Sequence, residues 1–504
     1  MRSLTRSYYR HMVGLLVLIQ ACKVGPDYVR PEAPEPDAWQ MKVAEEVNQD
    51  EPPILTWWDE LGDTVLTDLV RRAEFSNLDL KIAVARVREA RALRGVAVGG
   101  YFPDVTLNGA YSYFKISENS LQGQAQQEAG FDIEPQEQWD FSLDASWEID
   151  VWGRVRRQVE AATAQFEASV EDYRDVLVSL YAEVAAGYID VRTFQTRLDF
   201  ARQNAETQRQ TVQLTRDRFN AGLVSGLDVS QAETNLASTE AEIPSLEIAV
   251  NNSLNRLAVL LGETPGALNG ELGEIGPIPE PPDEIATGLP AELLRRRPDV
   301  RRAERLLAAQ TALVGVAVAD LYPSFSLTGI LSLVAGGGTN LLTGESVGWS
   351  LIPGVRWNLF AGGKIRNNIR VQEARTEQAL HIYEQSVLLA LEEVEDVMVA
   401  YVSEKVRRDR LAEAAGAAQR SVNIVRTQYL SGLTDFQRYL DSERALFVEQ
   451  DRLAASEGQV VRNLIALNKA LGGGWSQQDL APDRQAGAAD DDTPPSEGAR
   501  GGGN

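Results

Sequence analysis

The side chains that most often carry enzyme chemistry are scarce in this chain. Its 504 residues include two histidines, His11 and His381, and one cysteine, Cys22. This census favours neither a disulfide pair, nor a Cys/His zinc cluster, nor a Cys/His catalytic dyad. The net charge of -24 disfavours nucleic acid as a partner. We therefore expect no enzyme activity, no cofactor and no bound metal.

The single cysteine stands where a lipid could be attached. Residues 1–21 have the composition of an export signal, in which arginines precede an apolar run that is too short to cross a bilayer. The sequence Ile-Gln-Ala-Cys at 19–22 resembles the bacterial lipobox, in which the cysteine becomes the lipidated first residue of the mature protein. The alternative is an ordinary signal peptide with an incidental cysteine. By the same resemblance, Lys23 favours the outer membrane over the inner one.

A row of acidic residues lies within an alternating segment. From Trp139 to Asp150, apolar side chains alternate with polar ones, and the polar set includes Asp140, Asp144 and Glu148. A period of two is typical of a strand, and these twelve residues are enough for a transmembrane strand. The same pattern recurs more loosely at 105–114, 325–333 and 347–359. A soluble sheet with one buried face is the commoner cause of such alternation.

The number of strands sets a condition on membrane insertion. Four strands cannot close into a barrel, and an open sheet edge in lipid leaves backbone groups unpaired. Several copies would have to pool their strands, so that two copies give eight and three give twelve. The acids Asp140, Asp144 and Glu148 would then line a wet lumen while the aromatic face contacts lipid.

Two long segments have the composition of continuous helices. Residues 154–221 and 364–431 contain 68 residues each, with no proline and a single glycine. At a rise of about 1.5 Å per residue, each helix would be on the order of 100 Å long and would project from the membrane. Glycine turns should end both helices, and return helices should close at Gly262 and Gly472. Each half is therefore predicted to contain a long helical hairpin.

The two halves share a pattern at a fixed offset. The sequence Phe-x-x-Gly-Leu at 219–223 returns as Tyr-x-x-Gly-Leu at 429–433, an offset of 210. Upstream, Pro103 recurs as Pro323 at an offset of 220, so a loop of unequal length must absorb the difference. Unrelated helices share only their periodicity, and matched glycines and prolines in one order therefore predict two internal structural repeats.

These features divide the chain into six segments. They are a signal peptide (1–21), a lipidated N-terminal segment (22–62), a first repeat (63–262), an equatorial linker (263–287), a second repeat (288–472) and an acidic, glycine-rich tail with the composition of disorder (473–504). Each repeat is predicted to hold a helix, then a β-hairpin (about 104–150 and 324–359), then a long helical hairpin (154–262 and 364–472).

Several motifs together resemble those of one family. They are CKVGPDYVRP at 22–31, DVWG at 150–153, LLRRRPDVR at 293–301, LYPSF at 321–325 and NLFAGG at 358–363. On these motifs the chain resembles the TolC family of outer-membrane factors, in its OprM/NodT-like lipoprotein branch. The resemblance implies a mainly α fold with a membrane β-barrel: a lipid-anchored homotrimer with a twelve-stranded barrel in the outer membrane of a Gram-negative bacterium, and a periplasmic α-helical tunnel.

The resemblance also implies partners and site residues. The partners would be outer-membrane lipid, a periplasmic adaptor protein and an inner-membrane pump of the RND type. Asp441 matches an acidic constriction that closes the tunnel in the family, and Gln437 lies one turn earlier, where related channels can carry a leucine. The adaptor would contact the helix-hairpin tips Gly222, Leu223, Gly432 and Leu433. A solvated acid and simple helix-ending turns are the alternative explanations.

The implied function is passive export of drugs or other small molecules across the outer membrane in a tripartite efflux system. Metal-ion efflux and type I protein secretion are the alternatives within the family. A structural coiled-coil lipoprotein is the alternative outside it, and this would leave the four strands without a role. The cargo itself would be chosen by the pump.

Overall fold

The structure is a computed structural model that describes residues 23–32, 39, 47–48, 55–282, 285–286 and 296–476. The predicted signal peptide, Cys22 and most of the predicted tail (477–504) lie outside the described residues. Within the part of the chain that is described, no helix is both long enough and apolar enough to cross a membrane.

The elements of the first half begin with short pieces and end with two long helices. In chain order they are β1 (Val47–Asn48), a 3-10 helix (Trp57–Leu61), α1 (Thr64–Ser76), α2 (Leu78–Gly99), β2 (Asp104–Phe114), α3 (Leu121–Glu128), β3 (Gln136–Ile149), α4 (Arg154–Asn220), α5 (Gly226–Leu260) and α6 (Asn269–Leu272).

The second half has the same succession of long elements. In chain order it contains β4 (Ile285–Ala286), α7 (Pro298–Ala319), β5 (Ser324–Ala335), β6 (Val347–Arg356), α8 (Lys364–Leu430) and α9 (Phe436–Ala470). Helices α4 and α8 have 67 residues each, and the return helices α5 and α9 have 35 each. The two continuous helices predicted from the absence of proline are thus confirmed.

The chain divides into two compact units. The sheet unit comprises Met1–Pro31, Arg88–Glu167 and Glu304–Ile382, and the helical unit comprises Glu32–Val87, Ala168–Ala303 and Tyr383–Asn504. Each unit contains parts of both halves of the chain.

The sheet unit holds one four-stranded antiparallel sheet in the order β2-β3-β5-β6. Each half supplies one hairpin, and the hairpins join through β3 and β5, where Leu143 pairs with Leu331. The four predicted strands are confirmed, and several of their predicted ends are wrong. Strand β3 begins three residues earlier than predicted, at Gln136, and β5 ends two residues later, at Ala335, whereas β3 and β6 both end earlier than predicted. Asp150 lies beyond β3 because its carboxylate accepts hydrogen bonds from the backbone N–H groups of Val155 (3.1 Å) and Arg156 (2.9 Å) in the first turn of α4.

The last residues of the fourth predicted strand also lie outside it. Strand β6 ends at Arg356, so Trp357 and Leu359 are not part of the sheet. Instead, the indole Nε1 of Trp357 donates to the carbonyl oxygen of Leu321 at 3.0 Å. The apolar pattern of the sequence therefore continues beyond the end of β6. Trp357 is held there by a side-chain hydrogen bond instead of by strand pairing.

The core of the helical unit runs along the seam between its long helices. Tyr181, Val184, Tyr188 and Val191 of α4 are buried, as are the α8 residues Val394 and Tyr401. Their spacing of three and four residues places them on one helix face. Full burial of an aliphatic side chain of this size contributes about 1.5–3 kcal/mol. The seam is therefore a major source of the unit's stability.

Candidate functional site

The sheet has one polar and one apolar face, because the register pairs the mainly apolar positions of each strand with those of its neighbours. On β3, Asp140, Asp144 and Glu148 lie on the polar face. Asp140 pairs with Ala110 of β2, and Asp144 pairs with Thr106. The amide of Gln138 donates to Asp140 at 2.9 Å, and the amide of Asn108 donates to Asp144 at 2.6 Å. The two aspartates are thus held in a ladder of neutral polar groups.

Glu148 differs from the other two acids of this row. Both of its carboxylate oxygens accept hydrogen bonds from Arg154, from Nε at 2.8 Å and from Nη2 at 2.5 Å. A bidentate arginine compensates the carboxylate charge. The predicted row of three acids therefore contains two uncompensated charges, Asp140 and Asp144, and one ion pair at the sheet end.

The opposite face of the sheet is apolar and open to its surroundings. Trp349 is 79% exposed, Leu107 is 75% exposed and Val355 is 68% exposed. The same face carries Val105, Tyr111, Tyr113, Phe141, Leu143, Leu331 and Leu351, all of them exposed. An exposed apolar area of this extent on a soluble monomer would be an aggregation site, and it marks a surface that contacts lipid or protein.

Both edge strands of this sheet lack a second partner. Among the described residues, β2 pairs only with β3, and β6 pairs only with β5. These strands have 11 and 10 residues, so each presents a long row of unpaired backbone donors and acceptors. The backbone hydrogen bonding of the sheet is therefore complete between its four strands and incomplete at its two edges.

The turns at the hairpin tips have matching geometry. Gly222 and Gly432 adopt φ values of 73° and 74°, the left-handed conformation that ends a helix. The following leucines do not pack into the core: Leu223 is 67% exposed and Leu433 is 80% exposed. Helix-ending geometry explains the glycines, and it does not explain why an exposed leucine follows each of them.

The two predicted gate residues lie together on α9. The amide of Gln437 donates to Oδ1 of Asp441 at 2.9 Å, one helical turn away. Arg444 Nη1 lies 3.9 Å from the same oxygen, and its Nε donates to Oδ1 of Asn235 on α5 at 2.8 Å. The structure therefore adds Arg444, which sequence reasoning missed, as a cation that joins the acid to the other return helix.

An aromatic cluster beside the second tip was also missed. Tyr429 stacks on Tyr439 with ring centroids 5.7 Å apart, and Phe436 lies 5.5 Å from Tyr429. The guanidinium of Arg218 on α4 lies 4.6 Å from the centroid of the Tyr429 ring and donates to the Tyr429 carbonyl oxygen at 3.1 Å. The end of α8 is thus tied to the end of α4 by stacking, a cation–π contact and a hydrogen bond.

In the sheet unit, a buried arginine holds the segment that follows Cys22. Arg157 is fully buried, and it donates to the carbonyl oxygens of Val24 (3.0 Å) and Gly25 (2.9 Å). The backbone N–H of Val24 donates to the carbonyl oxygen of Trp152 at 3.1 Å. A Cβ at Gly25 would lie 2.4 Å from the backbone of Gly315, so only glycine fits there. This clamp fixes Val24 and Gly25 beside Trp152, just after the end of β3.

No group of three or more histidine, cysteine, aspartate or glutamate residues is arranged to hold a metal ion within the described ranges.

Comparison with known proteins identifies the family directly. The family model described as outer membrane efflux protein matches residues 69–263 and 289–473. This chain belongs to the outer membrane efflux protein family.

Relatives of the efflux family match nearly the whole chain. Nodulation protein T of Rhizobium leguminosarum bv. trifolii is 30% identical over 460 residues, covering 91% of this chain and 96% of the relative. The toluene efflux pump outer membrane protein TtgF of Pseudomonas putida is 28% identical over 484 residues, covering 93% and 98%. The solved structure of the outer-membrane channel OprN has a TM-score of 0.83 and 36% identity, covering 90% of this chain and all of that one.

Membership settles the class of protein and its location. The chain is an outer-membrane efflux channel, and efflux proteins of this family are not enzymes. The mainly helical fold with few strands is the fold of the channel OprN. The expectations of export function and of an outer-membrane location are confirmed.

Proposed function

We propose that three copies of this chain join their sheets into one twelve-stranded barrel and form a passive export duct. The observation that carries the proposal is a four-stranded sheet with an open apolar face and two unpaired edges. In lipid, edge-to-edge joining of copies is the way for these backbone groups to find partners. An eight-stranded barrel of two copies would be filled by its own side chains, which favours three copies for a duct.

The aromatic residues support a membrane position for this sheet. Trp139 and Trp147 lie eight positions apart on β3, which is about 27 Å along the strand and, at the usual strand tilt, about 20 Å along the barrel axis. An outer-membrane barrel has an apolar band about 25 Å tall between its aromatic girdles. In this arrangement Asp140 and Asp144 face the lumen, where they favour cations over anions, and Glu148 is neutralised by Arg154.

The N-terminal clamp supports a lipid anchor at Cys22. Arg157 and Trp152 hold Val24 and Gly25 near the end of β3, where α4 begins. A thioether-linked lipid on Cys22 would be attached within a few residues of this clamped segment. Metabolic labelling with a radioactive fatty acid should label the wild-type protein and leave Cys22→Ser unlabelled. A labelled Cys22→Ser protein would contradict the anchor.

The helical hairpins form the periplasmic tunnel in this proposal. Three copies of Asp441, each held by Gln437, form the constriction at its end, and the exposed Leu223 and Leu433 beside Gly222 and Gly432 contact the adaptor. The tips offer apolar side chains on rigid turns, which suits docking to an adaptor protein. An inner-membrane pump of the RND type then delivers cargo through the adaptor.

Equal offsets support the two internal repeats. Helices α4 and α8, and likewise α5 and α9, begin and end 210 residues apart. The hydrogen bond from Trp147 Nε1 to the Tyr101 carbonyl and that from Trp357 Nε1 to the Leu321 carbonyl are both 3.0 Å long. The family model also matches the chain twice. We retain the boundaries 63–262 and 288–472, with 22–62, 263–287 and 473–504 as the N-terminal segment, linker and tail.

Small organic molecules are the proposed cargo. The relative TtgF is named as part of a toluene efflux pump, which favours organic compounds over metal ions or proteins. Deletion of the gene should raise cellular accumulation of a lipophilic fluorescent dye, and a plasmid copy should restore the low level. Unchanged accumulation of dyes and drugs, together with a new sensitivity to metal ions, would contradict this cargo class.

A further inference from the structure

A carboxyl group is buried two positions beyond Asp441 in the contact between two hairpins. Glu443 of α9 is 4% exposed, and its Oε1 accepts a hydrogen bond from the hydroxyl of Thr211 on α4 at 2.9 Å. The hydroxyl of Tyr439 lies 3.3 Å from the Thr211 hydroxyl. The carboxyl therefore belongs to the contact by which α9, the helix that carries the proposed gate, packs on α4.

The second oxygen of this carboxyl has no compensation. Glu443 Oε2 is buried and has no hydrogen-bond partner in the described part of the chain. Burial raises the pKa of Glu443, against the opposing effects of Tyr439 on α9, Thr211 on α4 and the charge of Arg426 on α8. Burial likewise raises the pKa of Tyr439 to about 12, so the tyrosine stays neutral. The site accommodates a neutral acid better than a carboxylate.

We infer that Glu443 is a positioning residue of the channel: its neutral form holds α9 against α4, and its ionisation releases α9 together with Asp441. This inference rests on the proposed gate at Asp441. Glu443 does not face the same side of α9 as the gate acid, because two residues along a helix are separated by about 200°. It acts on Asp441 through the position of the helix.

The direction of the pH dependence follows from proton linkage. The packed arrangement binds the proton of Glu443 more tightly than an arrangement in which the carboxyl is hydrated. Packing of α9 on α4 is therefore strongest at acidic pH and weakens as the pH rises through the raised pKa, by up to about tenfold in equilibrium constant per pH unit. The channel should accordingly open more often at neutral than at acidic pH.

Hydrogen exchange tests the packing without requiring conduction. In the purified full-length protein, backbone amides of 436–446 should be less protected at about pH 8 than at about pH 5, after correction for the intrinsic exchange rate, by up to about tenfold for each pH unit by which burial raises the pKa of Glu443. Glu443→Gln, which is neutral at every pH and nearly isosteric, should keep the acidic-pH protection throughout. Glu233→Gln, at the same position of α5, should follow the wild type. A Glu443→Gln protein that loses protection in parallel with the wild type would overturn the inference.

Conductance in planar lipid bilayers separates this inference from the proposed gate. The wild-type open probability should rise from about pH 5 to about pH 8, and Glu443→Gln should stay at the wild-type acidic value. Asp441→Asn should reduce cation selectivity. If Asp441→Asn changes selectivity while Glu443→Gln follows the wild-type pH profile, the gate stands and the inference on Glu443 fails. If Asp441→Asn conducts like the wild type while Glu443→Gln loses the pH dependence, the gate at Asp441 fails and the lock on α9 stands.

Discussion

The acid at the eighth position of each return helix has two different environments. Glu233 of α5 lies at the surface and accepts a hydrogen bond at 2.6 Å from Nη2 of Arg216 in its own hairpin. Glu443 of α9 is buried and bonds to Thr211 of the other hairpin. Arg426 stands 210 residues after Arg216, and it influences Glu443 through its charge. The same residue type at the same helix position serves as a surface ion pair once and as a buried contact once.

The cause of this difference lies in the neighbouring side chains. One turn before Glu443, α9 carries Tyr439, which is 2% exposed, whereas the same position of α5 carries the smaller Val229, which is half-buried. Fifteen of the 35 residues of α9 are buried, compared with seven of the 35 residues of α5. Aromatic packing thus draws the second return helix, and its acid, into a core. The first return helix keeps more of its surface exposed.

The largest effect should come from removing the aromatic packing. Tyr439→Ala should destabilise the packing of α9 by about 3–5 kcal/mol, because a buried aromatic ring is lost and a cavity remains. Val229→Ala, the matched change in α5, should cost about 1 kcal/mol because the valine is only half-buried. Hydrogen exchange of 436–446 and of 226–236 measures both losses. Equal losses in the two helices would contradict the contrast between the hairpins.

A smaller effect should follow from removing the two acids. Glu443→Ala should cost about 1–3 kcal/mol at acidic pH, where the neutral carboxyl accepts the Thr211 hydrogen bond. The cost should shrink as the pH rises, because the buried carboxylate of the wild type becomes unfavourable there. Glu233→Ala should cost about 0–1 kcal/mol, as expected for a surface pair. Thermal unfolding of the purified variants at two pH values gives the comparison, and a larger cost for Glu443→Ala at neutral than at acidic pH would contradict it.

The hydrogen bond across the hairpins should contribute less. Thr211→Val keeps the shape of the side chain and removes the donor to Glu443, at a cost of about 0.5–1.5 kcal/mol. Thr207, one turn earlier on α4, is exposed, and Thr207→Val should change stability by no more than about 0.5 kcal/mol. The pH dependence of α9 protection should also be altered by Thr211→Val only. Identical behaviour of the two threonine variants would show that the Thr211–Glu443 contact carries no stability.

The smallest expected effect is that of salt on the coupling energy between each acid, Glu233 or Glu443, and its hydrogen-bond partner. A double-mutant cycle of Arg216→Ala and Glu233→Ala should give a coupling of about 0.2–1 kcal/mol at low salt and almost none at about 1 M, because exposed charges are screened. The corresponding cycle of Thr211→Val and Glu443→Ala, measured at acidic pH, should be insensitive to salt, because it measures a buried hydrogen bond between neutral groups. A salt-dependent coupling in the second cycle would show that Glu443 is charged in the packed state.

Much of the fold could be predicted because local rules decide it. Helices α4 and α8 end within one residue of the predicted points, since Gly222 and Gly432 take the left-handed conformation that stops a helix. The alternation along β3 fixed both the strand and the face on which Asp140 and Asp144 lie. The end of β3 was mispredicted at Asp150, because capping of α4 competes with strand pairing for the same residue.

The unpredicted parts of the site depend on contacts between distant segments. Glu233 and Glu443 are indistinguishable in the sequence pattern, and only packing against Thr211 separates them. An arginine on a long helix is usually exposed, yet Arg157 is buried and bonds to the segment that follows Cys22. The spacing of Asp441 and Arg444 at three residues was a readable signal for their proximity. The contact of Arg444 with α5 was not.

The most direct test of the account is whether the two open sheet edges meet between copies. Each variant of the full-length protein would carry one new cysteine in β2 and one in β6. The first pair is Leu107→Cys with Leu351→Cys, and further pairs use neighbouring positions along each strand. The variants would be oxidised in outer-membrane fractions. The account predicts covalent dimers and trimers, with no larger ladder, for the pairs that lie opposite each other. Recovery of monomers alone for every pair, or of an open-ended ladder, would contradict a closed barrel of three copies.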